Sequence, residues 1–271
     1  MTPIRVVCHQ LAPRLGDADD NRRLSETAIR GAASLGAHVV VLPELMQSGY
    51  AFNDLAEARA VSEPLDGPTL SLWRALAIEL GLIVVAGFCE RLSAGRVANS
   101  AALIEPDGRL TVYRKAHLWD REKLIFTAGT APPPLVETAV GRIGVVICYD
   151  LELPEWVRLA ALAGTDLLCA PVNWPDSPRP AAERPGEIVR VQANAAVNRM
   201  FIAACDRYGE ERGVNWVGGS VIVDAEGYPL AGGVSHQQEQ RLVADLPLLQ
   251  ARNKHISEHN HVHLDRRPGL Y

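Results

Sequence analysis

The 271-residue sequence contains no run of about 18 consecutive apolar residues, so nothing in it reads as a membrane-crossing helix. Lysine and arginine are scattered rather than massed. With a formal net charge of -5, the chain offers no phosphate-tracking surface for nucleic acid. Its opening, "MTPIRVVCHQ", passes straight into a strand-like pattern instead of the charged-then-apolar order of an export signal, which predicts a cytoplasmic protein. The five cysteines (Cys8, Cys89, Cys148, Cys169, Cys205) are odd in number and form no C-x-x-C pair, so neither a disulfide framework nor a zinc knuckle is indicated. G-x-S-x-G, G-x-G-x-x-G and the P-loop are also missing, which removes the defining feature of serine hydrolase, dinucleotide and nucleotide readings.

What is present is apolar material in short pieces, 48% of the chain, enough to bury a large core. The periodicity predicts strands at 4–9, 38–43 and 82–89 alternating with helices near 20–35 and 68–80, then a hairpin of "ANSAALIE" and "RLTVYRK" about "PDG". After a loop at 116–140 the order restarts. Strand 142–147, helix 154–163, strand 166–171, helix 184–198 and strand 200–206 precede "GGSVIVD" and "YPLAGG", joined by "AEG", and a last strand, "RLVADL". Each half must cover the sheet face that its helices leave bare, and the other half's sheet is the nearest cover. The predicted fold class is α/β, a four-layer αββα sandwich, with residues 1–271 as one domain.

Three reactive side chains stand where apolar runs end: Glu44 after "HVVVLP", Lys115 after "LTVYR" and Cys148 after "GVVI". Ligands collect beyond the carboxyl ends of strands in such sheets, so the three ends can meet in one cleft. Cysteine attacks as its thiolate, a form favoured by a nearby lysine, a basic carboxylate and the helix opening at Pro154. Lysine, with the backbone N–H of Tyr149, can hold the negative charge that attack creates, and the carboxylate can carry the thiol proton to a departing amine. Taken singly, a Glu after "LP" and a Lys after "YR" are ordinary surface charges, and a cysteine in an apolar run is ordinary core. Their combination carries the argument.

The stretches "VVLPELMQSGY", "YRKAHLWDREKLIFTAG" and "GVVICYDLELPE" resemble the three catalytic motifs of the nitrilase superfamily of carbon–nitrogen hydrolases, in that family's order. "NWP" at 173–175, "DRYGEERG" at 206–213 and the final "DRRPGLY" extend the resemblance over nearly the whole chain. The resemblance implies the αββα sandwich, a Glu44–Lys115–Cys148 triad, no cofactor and no metal, and pairing of protomers into at least a homodimer. It also implies a role for Glu122 in orienting Lys115 and the leaving nitrogen.

Half of the eight histidines fall in the tail, where His259, His261 and His263 alternate and would share one face of an extended segment. With no acidic or cysteine ligand nearby except Glu258 and Asp265, a polar tail at a subunit interface, residues 255–271, is the better reading than a metal site. His117 is read as support for the lysine loop rather than as a papain-like base.

The expected activity is that of an amidase, with Cys148 attacking an amide carbonyl, ammonia leaving, and water activated by Glu44 releasing the acid from a thioester. A nitrilase using the same triad is the main alternative, and an N-carbamoyl amino acid hydrolase a lesser one. A binding module that lost the chemistry is the non-enzymatic alternative, against which the intact triad and Glu122 argue. Relatives that take carboxylate-bearing substrates have a basic residue shortly after the nucleophile, whereas here Tyr149, Asp150, Leu151 and Glu152 follow it. This predicts small neutral carboxamides and an apolar pocket lined by Tyr149 and Trp174. Arg179 and Arg184 are the charges that would reverse the preference.

Overall fold

Two six-stranded sheets form the centre of the fold in the computed structural model, which describes residues 2–270; Tyr271 of the final "DRRPGLY" lies outside the described residues. The first sheet is built on β1 (Ile4–Gln10), β2 (Val39–Val41), β3 (Ile83–Arg91), β4 (Val97–Ile104) and β5 (Leu110–Arg114). The second contains β6 (Leu135–Thr138), β7 (Gly141–Val145), β8 (Leu167–Pro171) and β9 (Phe201–Cys205). A short ribbon of β10 (Glu210–Glu211) and β11 (Val214–Asn215) stands apart, β12 (Val221–Val223) and β13 (Pro229–Gly232) extend the second sheet, and β14 (Gln240–Leu246) crosses back to the first.

The two sheets follow one plan. β1, β2 and β3 run parallel, as do β7, β8 and β9, and each trio is followed by an antiparallel pair, β4–β5 or β12–β13. At the opposite edge β14 lies antiparallel to β1, pairing Ile4 with Leu246, and β6 lies antiparallel to β7. Parallel neighbours need crossovers long enough to hold a helix, and these are α1 (Ala18–Ser34) and α3 (Pro68–Leu80), with a short α2 (Leu55–Val61) between them. After α4 (Glu122–Ile125), the second-half crossovers are α5 (Pro154–Ala163) and α6 (Gly186–Asn198). Pro154 opens α5 at a position where its missing N–H costs nothing, and Gly164, at φ 105°, ends it in the left-handed region.

The period-2 alternation of the strands builds the layers. Val7, Val40, Val84 and Phe88 face Ile29, Trp73 and Leu76 of α1 and α3. Their neighbours Val6, Val39 and Val85 face the second sheet, whose far side packs on Val157 of α5 and on Ile188 and Val191 of α6. The molecule is the four-layer αββα sandwich that the sequence predicts.

Several local expectations are corrected. The strand expected over 142–147 ends at Val145, and the loop expected over 116–140 contains α4 and β6. The histidine tail is not extended. Ile256 N donates to Asn260 O and Val262 N to Lys254 O, folding it into turns that set the rings of His255 and His261 edge to face at 4.9 Å. No metal-holding group of three or more His, Cys, Asp or Glu occurs among the described residues, and no helix there is long and apolar enough to cross a membrane.

Candidate active site

Glu44 ends the segment after β2 and is held by close backbone approach: a Cβ on Gly87 of β3 would lie 2.3 Å from Leu45 N. Lys115 directly follows β5, with its N–H donating to Asn99 O at 2.9 Å and its carbonyl accepting from Gly129 N at 2.8 Å. Gly129 is likewise obligatory, since its Cβ would meet Arg114 O at 2.2 Å. Cys148 opens a 3-10 turn, Cys148–Glu152, at φ 46°. That left-handed conformation costs a non-glycine residue about 1–2 kcal/mol, so the surroundings must enforce it.

Asp150 supplies the enforcement. Its Oδ2 accepts from Ile147 N at 3.0 Å and Tyr113 Oη at 2.7 Å, while Oδ1 accepts from His117 N at 3.1 Å and faces His117 Nδ1 at 2.7 Å. One buried carboxylate thus ties the cysteine turn to β5 and to the lysine loop. His117 packs edge to face on Trp156 at 4.8 Å, which makes it support for that loop, as expected.

Lys115 and the two glutamates form a closed cluster. Lys115 Nζ donates to Glu44 Oε1 and Glu122 Oε2, each at 2.7 Å. Asn99 Nδ2 bridges the same carboxylates from the other side, donating to Glu44 Oε1 and Glu122 Oε1, again at 2.7 Å each. Trp119 N completes Glu122 at 2.6 Å. Two groups remain free for chemistry: Glu44 Oε2 is buried without a hydrogen-bond partner, and an ammonium has three N–H donors of which these bonds take two. Cys148 joins through Asn173, whose carbonyl accepts from Sγ at 3.6 Å and whose Nδ2 donates to the carbonyl of Glu44 at 2.9 Å.

Burial pushes the Glu44 carboxyl up to about 7, with Lys115 opposing and Glu122 adding to the push. Burial also pulls on the Lys115 ammonium, but the two carboxylates outweigh it and hold the pKa well above the ordinary lysine range. The Cys148 thiol is pushed up by burial and by Glu44, which Lys115 only partly offsets. Burial thus favours the thiol over the thiolate, and the unpaired Glu44 oxygen in the same cluster is a group that can take its proton.

A cavity of about 330 Å³ holds Cys148 together with Tyr149 and Trp174, the two residues expected to line it. Trp119 and Pro175 separate it from a neighbouring lobe of about 490 Å³ that reaches Glu122, Tyr50 and Phe52. Arg179 lines the Cys148 cavity but is held by Asp176 at 2.6 Å, and Arg184 donates to Gln192 at 2.7 Å. Asp150, second after the nucleophile in sequence, is buried and does not line this cavity.

Sequence reading missed Asn99, Asp206 and Glu211, and the clamping role of Asp150. Asp206 accepts from Trp174 N, Arg207 N and Gly219 N, which fixes the "NWP" segment. Glu211, paired with Arg207 at 2.8 Å, accepts from Tyr50 N and Ala51 N and braces the loop after Glu44. A polar side chain inside an apolar run, as in "VANSAAL", was the available signal for Asn99.

Residues 5–255 match the family model described as carbon-nitrogen hydrolase. A protein named nitrilase from Pyrococcus abyssi is 32% identical over 271 residues, covering 99% of each chain. An (R)-stereoselective amidase of Pseudomonas sp. is 34% identical over 246 residues, 90% of this chain and 85% of the other. Among solved structures, an amidase of Nesterenkonia sp. AN1, a cysteine-to-alanine mutant in complex with butyramide, superposes with a TM-score of 0.80 at 26% identity, covering 99% of this chain and 96% of that one.

Proposed function

The chain belongs to the carbon–nitrogen hydrolase family of the nitrilase superfamily, and from that premise we propose that it is an amidase, cleaving small carboxylate-free carboxamides to acid and ammonia through a cysteine thioester. The observation that carries this reading is the buried cluster in which Glu44 Oε2 has no partner and Lys115 has one N–H to spare.

In this mechanism Cys148 Sγ attacks the amide carbonyl as its proton passes to Glu44 Oε2. The oxygen gains charge, which the third N–H of Lys115 and the backbone N–H of Tyr149 stabilise. The C–N bond breaks as Glu44 returns the proton to the nitrogen, and ammonia leaves the thioester. Water, losing its proton to Glu44, then cleaves the thioester, so that the acid departs and the thiol is restored. Glu122 positions Lys115 and the leaving nitrogen from the opposite side of the ammonium.

An amide is favoured over a nitrile by the relatives, an (R)-stereoselective amidase of Pseudomonas sp. and the Nesterenkonia sp. AN1 amidase in complex with butyramide. The Pyrococcus abyssi relative named nitrilase keeps the nitrile as the second reading, since a thioimidate would engage the same residues. N-carbamoyl amino acids are disfavoured by the engagement of Arg179 and Arg184 with other side chains.

Ammonia release from butyramide, butyronitrile and an N-carbamoyl amino acid tests the assignment. The amide is expected to be the best substrate, with Cys148→Ala folded and inactive and Glu122→Gln lowering kcat by more than about tenfold. Turnover by Cys148→Ala, or a nitrile turned over faster than the amide, would sink it.

A further inference from the structure

The cavity over Cys148 is lined by charged as well as apolar side chains. Glu152 closes the 3-10 turn that Cys148 opens, Glu187 stands in the first turn of α6, and both line the cavity. Their one shared cation is Arg190, whose Nη1 lies 3.4 Å from an oxygen of each. Charge-assisted N–H···O bonds run to about 2.7–2.9 Å, so a single nitrogen at this distance satisfies neither carboxylate fully. The other guanidinium on the wall, Arg179, is already neutralised by Asp176. The lining thus carries two carboxylates against one available cation.

Burial raises the Glu152 pKa, Arg190 opposes it, and Glu187 adds a smaller repulsive push upward. A second cation entering the cavity would relieve that repulsion, whereas an anion would add to it. A neutral acyl group would leave it in place.

We propose that this cavity selects amides whose acyl part carries a protonated amine, the ammonium seated between Glu152 and Glu187 while Cys148 attacks the carbonyl. The inference rests on the amidase reading above and narrows its substrate class. It also replaces the neutral preference drawn from the sequence, which rests on the residues just after Cys148 and leaves out Glu187, 35 positions beyond Glu152. Four residues of a 3-10 turn rise about 8 Å, and the glutamate side chain spans part of that distance back toward the sulfur. The amine is therefore placed a few bonds from the scissile carbonyl, as in amides of small amino acids.

β-Alaninamide and butyramide differ only by an ammonium in place of a terminal methyl, and succinamate offers the carboxylate of similar length. Calorimetry on the Cys148→Ala protein reads the charge preference without turnover, and ammonia release by the wild-type enzyme reads the chemistry. At a pH where the amine is protonated, β-alaninamide is expected to bind at least about tenfold tighter than butyramide, with succinamate weakest. The kcat/KM values are expected in the same order, separated mainly in KM. Glu152→Gln combined with Glu187→Gln is expected to bring the β-alaninamide to butyramide ratio close to one. Each single variant should lose part of the preference, which keeps the test usable if the double variant folds poorly. Butyramide binding as tightly as β-alaninamide, or a ratio unmoved by the glutamine variants, would overturn the proposal. Preferred binding of β-alaninamide with ammonia released from neither amide would uphold it and overturn the amidase reading instead.

Discussion

Glu44 gives one carboxylate oxygen to Lys115 Nζ at 2.7 Å and keeps the other, fully buried, without a partner. Burial holds the carboxyl near 7, against the pull of Lys115 and with a further push from Glu122, so its charge changes within the working range of an enzyme. Below that pH the group is protonated and cannot accept the thiol proton; above it the carboxylate is available. The kcat/KM for an amide is therefore expected to rise with pH along an acid limb near 7, and Glu44→Gln is expected to remove turnover. A profile flat from about pH 5 to about pH 8 would separate Glu44 from proton transfer.

Asn99 joins the two glutamates, and its bond to Glu44 favours the ionised form of that carboxyl. Asn99→Leu should move the acid limb to higher pH and lower kcat by at least about tenfold. If the profile loses height without moving its limb, Asn99 is a packing residue and the bridge is incidental.

Asp150 accepts from Ile147 N, Tyr113 Oη and His117 N and also faces His117 Nδ1, and it holds the left-handed backbone of Cys148 in place. Asp150→Asn sets an amide N–H₂ against donors, and a buried donor left unsatisfied costs about 1–3 kcal/mol. The melting temperature should fall by roughly 3–10 °C, and alkylation of Cys148 by iodoacetamide should change rate. An unaltered melting curve with unaltered alkylation would show that the turn stands without this clamp.

The tail exposes Ile256, Leu264 and Leu270. Exposed apolar side chains of that size, on a segment too polar to build a core, suit a subunit contact. Deleting residues 255–271 is expected to weaken a dimer while leaving the Glu44–Lys115 cluster intact, and sedimentation velocity would report it. An unchanged sedimentation profile would remove the tail from the interface.

How far the sequence could be read depended on whether the signal was local. Helix α5 is legible to the residue because Pro154 and Gly164 fix its two ends by their own backbone limits. The fold class follows from alternation, which says which face of a strand is buried. It does not say which edge a strand joins, so the place of β14 beside β1 was not readable. Asn99 reads only as a polar break in an apolar strand, because its meaning depends on carboxylates 55 and 23 residues away. The upward push on the Cys148 thiol was out of reach for the same reason, because burial, its largest cause, is a property of the assembled layers.

The pairing of β1 with β14 has a consequence for how the chain reaches this state. Arg5 and Asp245, neighbours across that edge, are 240 residues apart in sequence. During synthesis β1, β2 and β3 are complete long before their edge partner exists, so the first sheet waits with β1's outer hydrogen-bonding groups uncovered. Pairings of such sequence separation are slow to close, because the loop entropy must be overcome before the contacts repay it. The first sheet reaches its final form only when Gln240–Leu246 has been made. A ribosome-bound chain stalled before Gln240 would carry Glu44, Lys115 and Cys148, yet expose an unpaired strand edge to whatever binds such edges first.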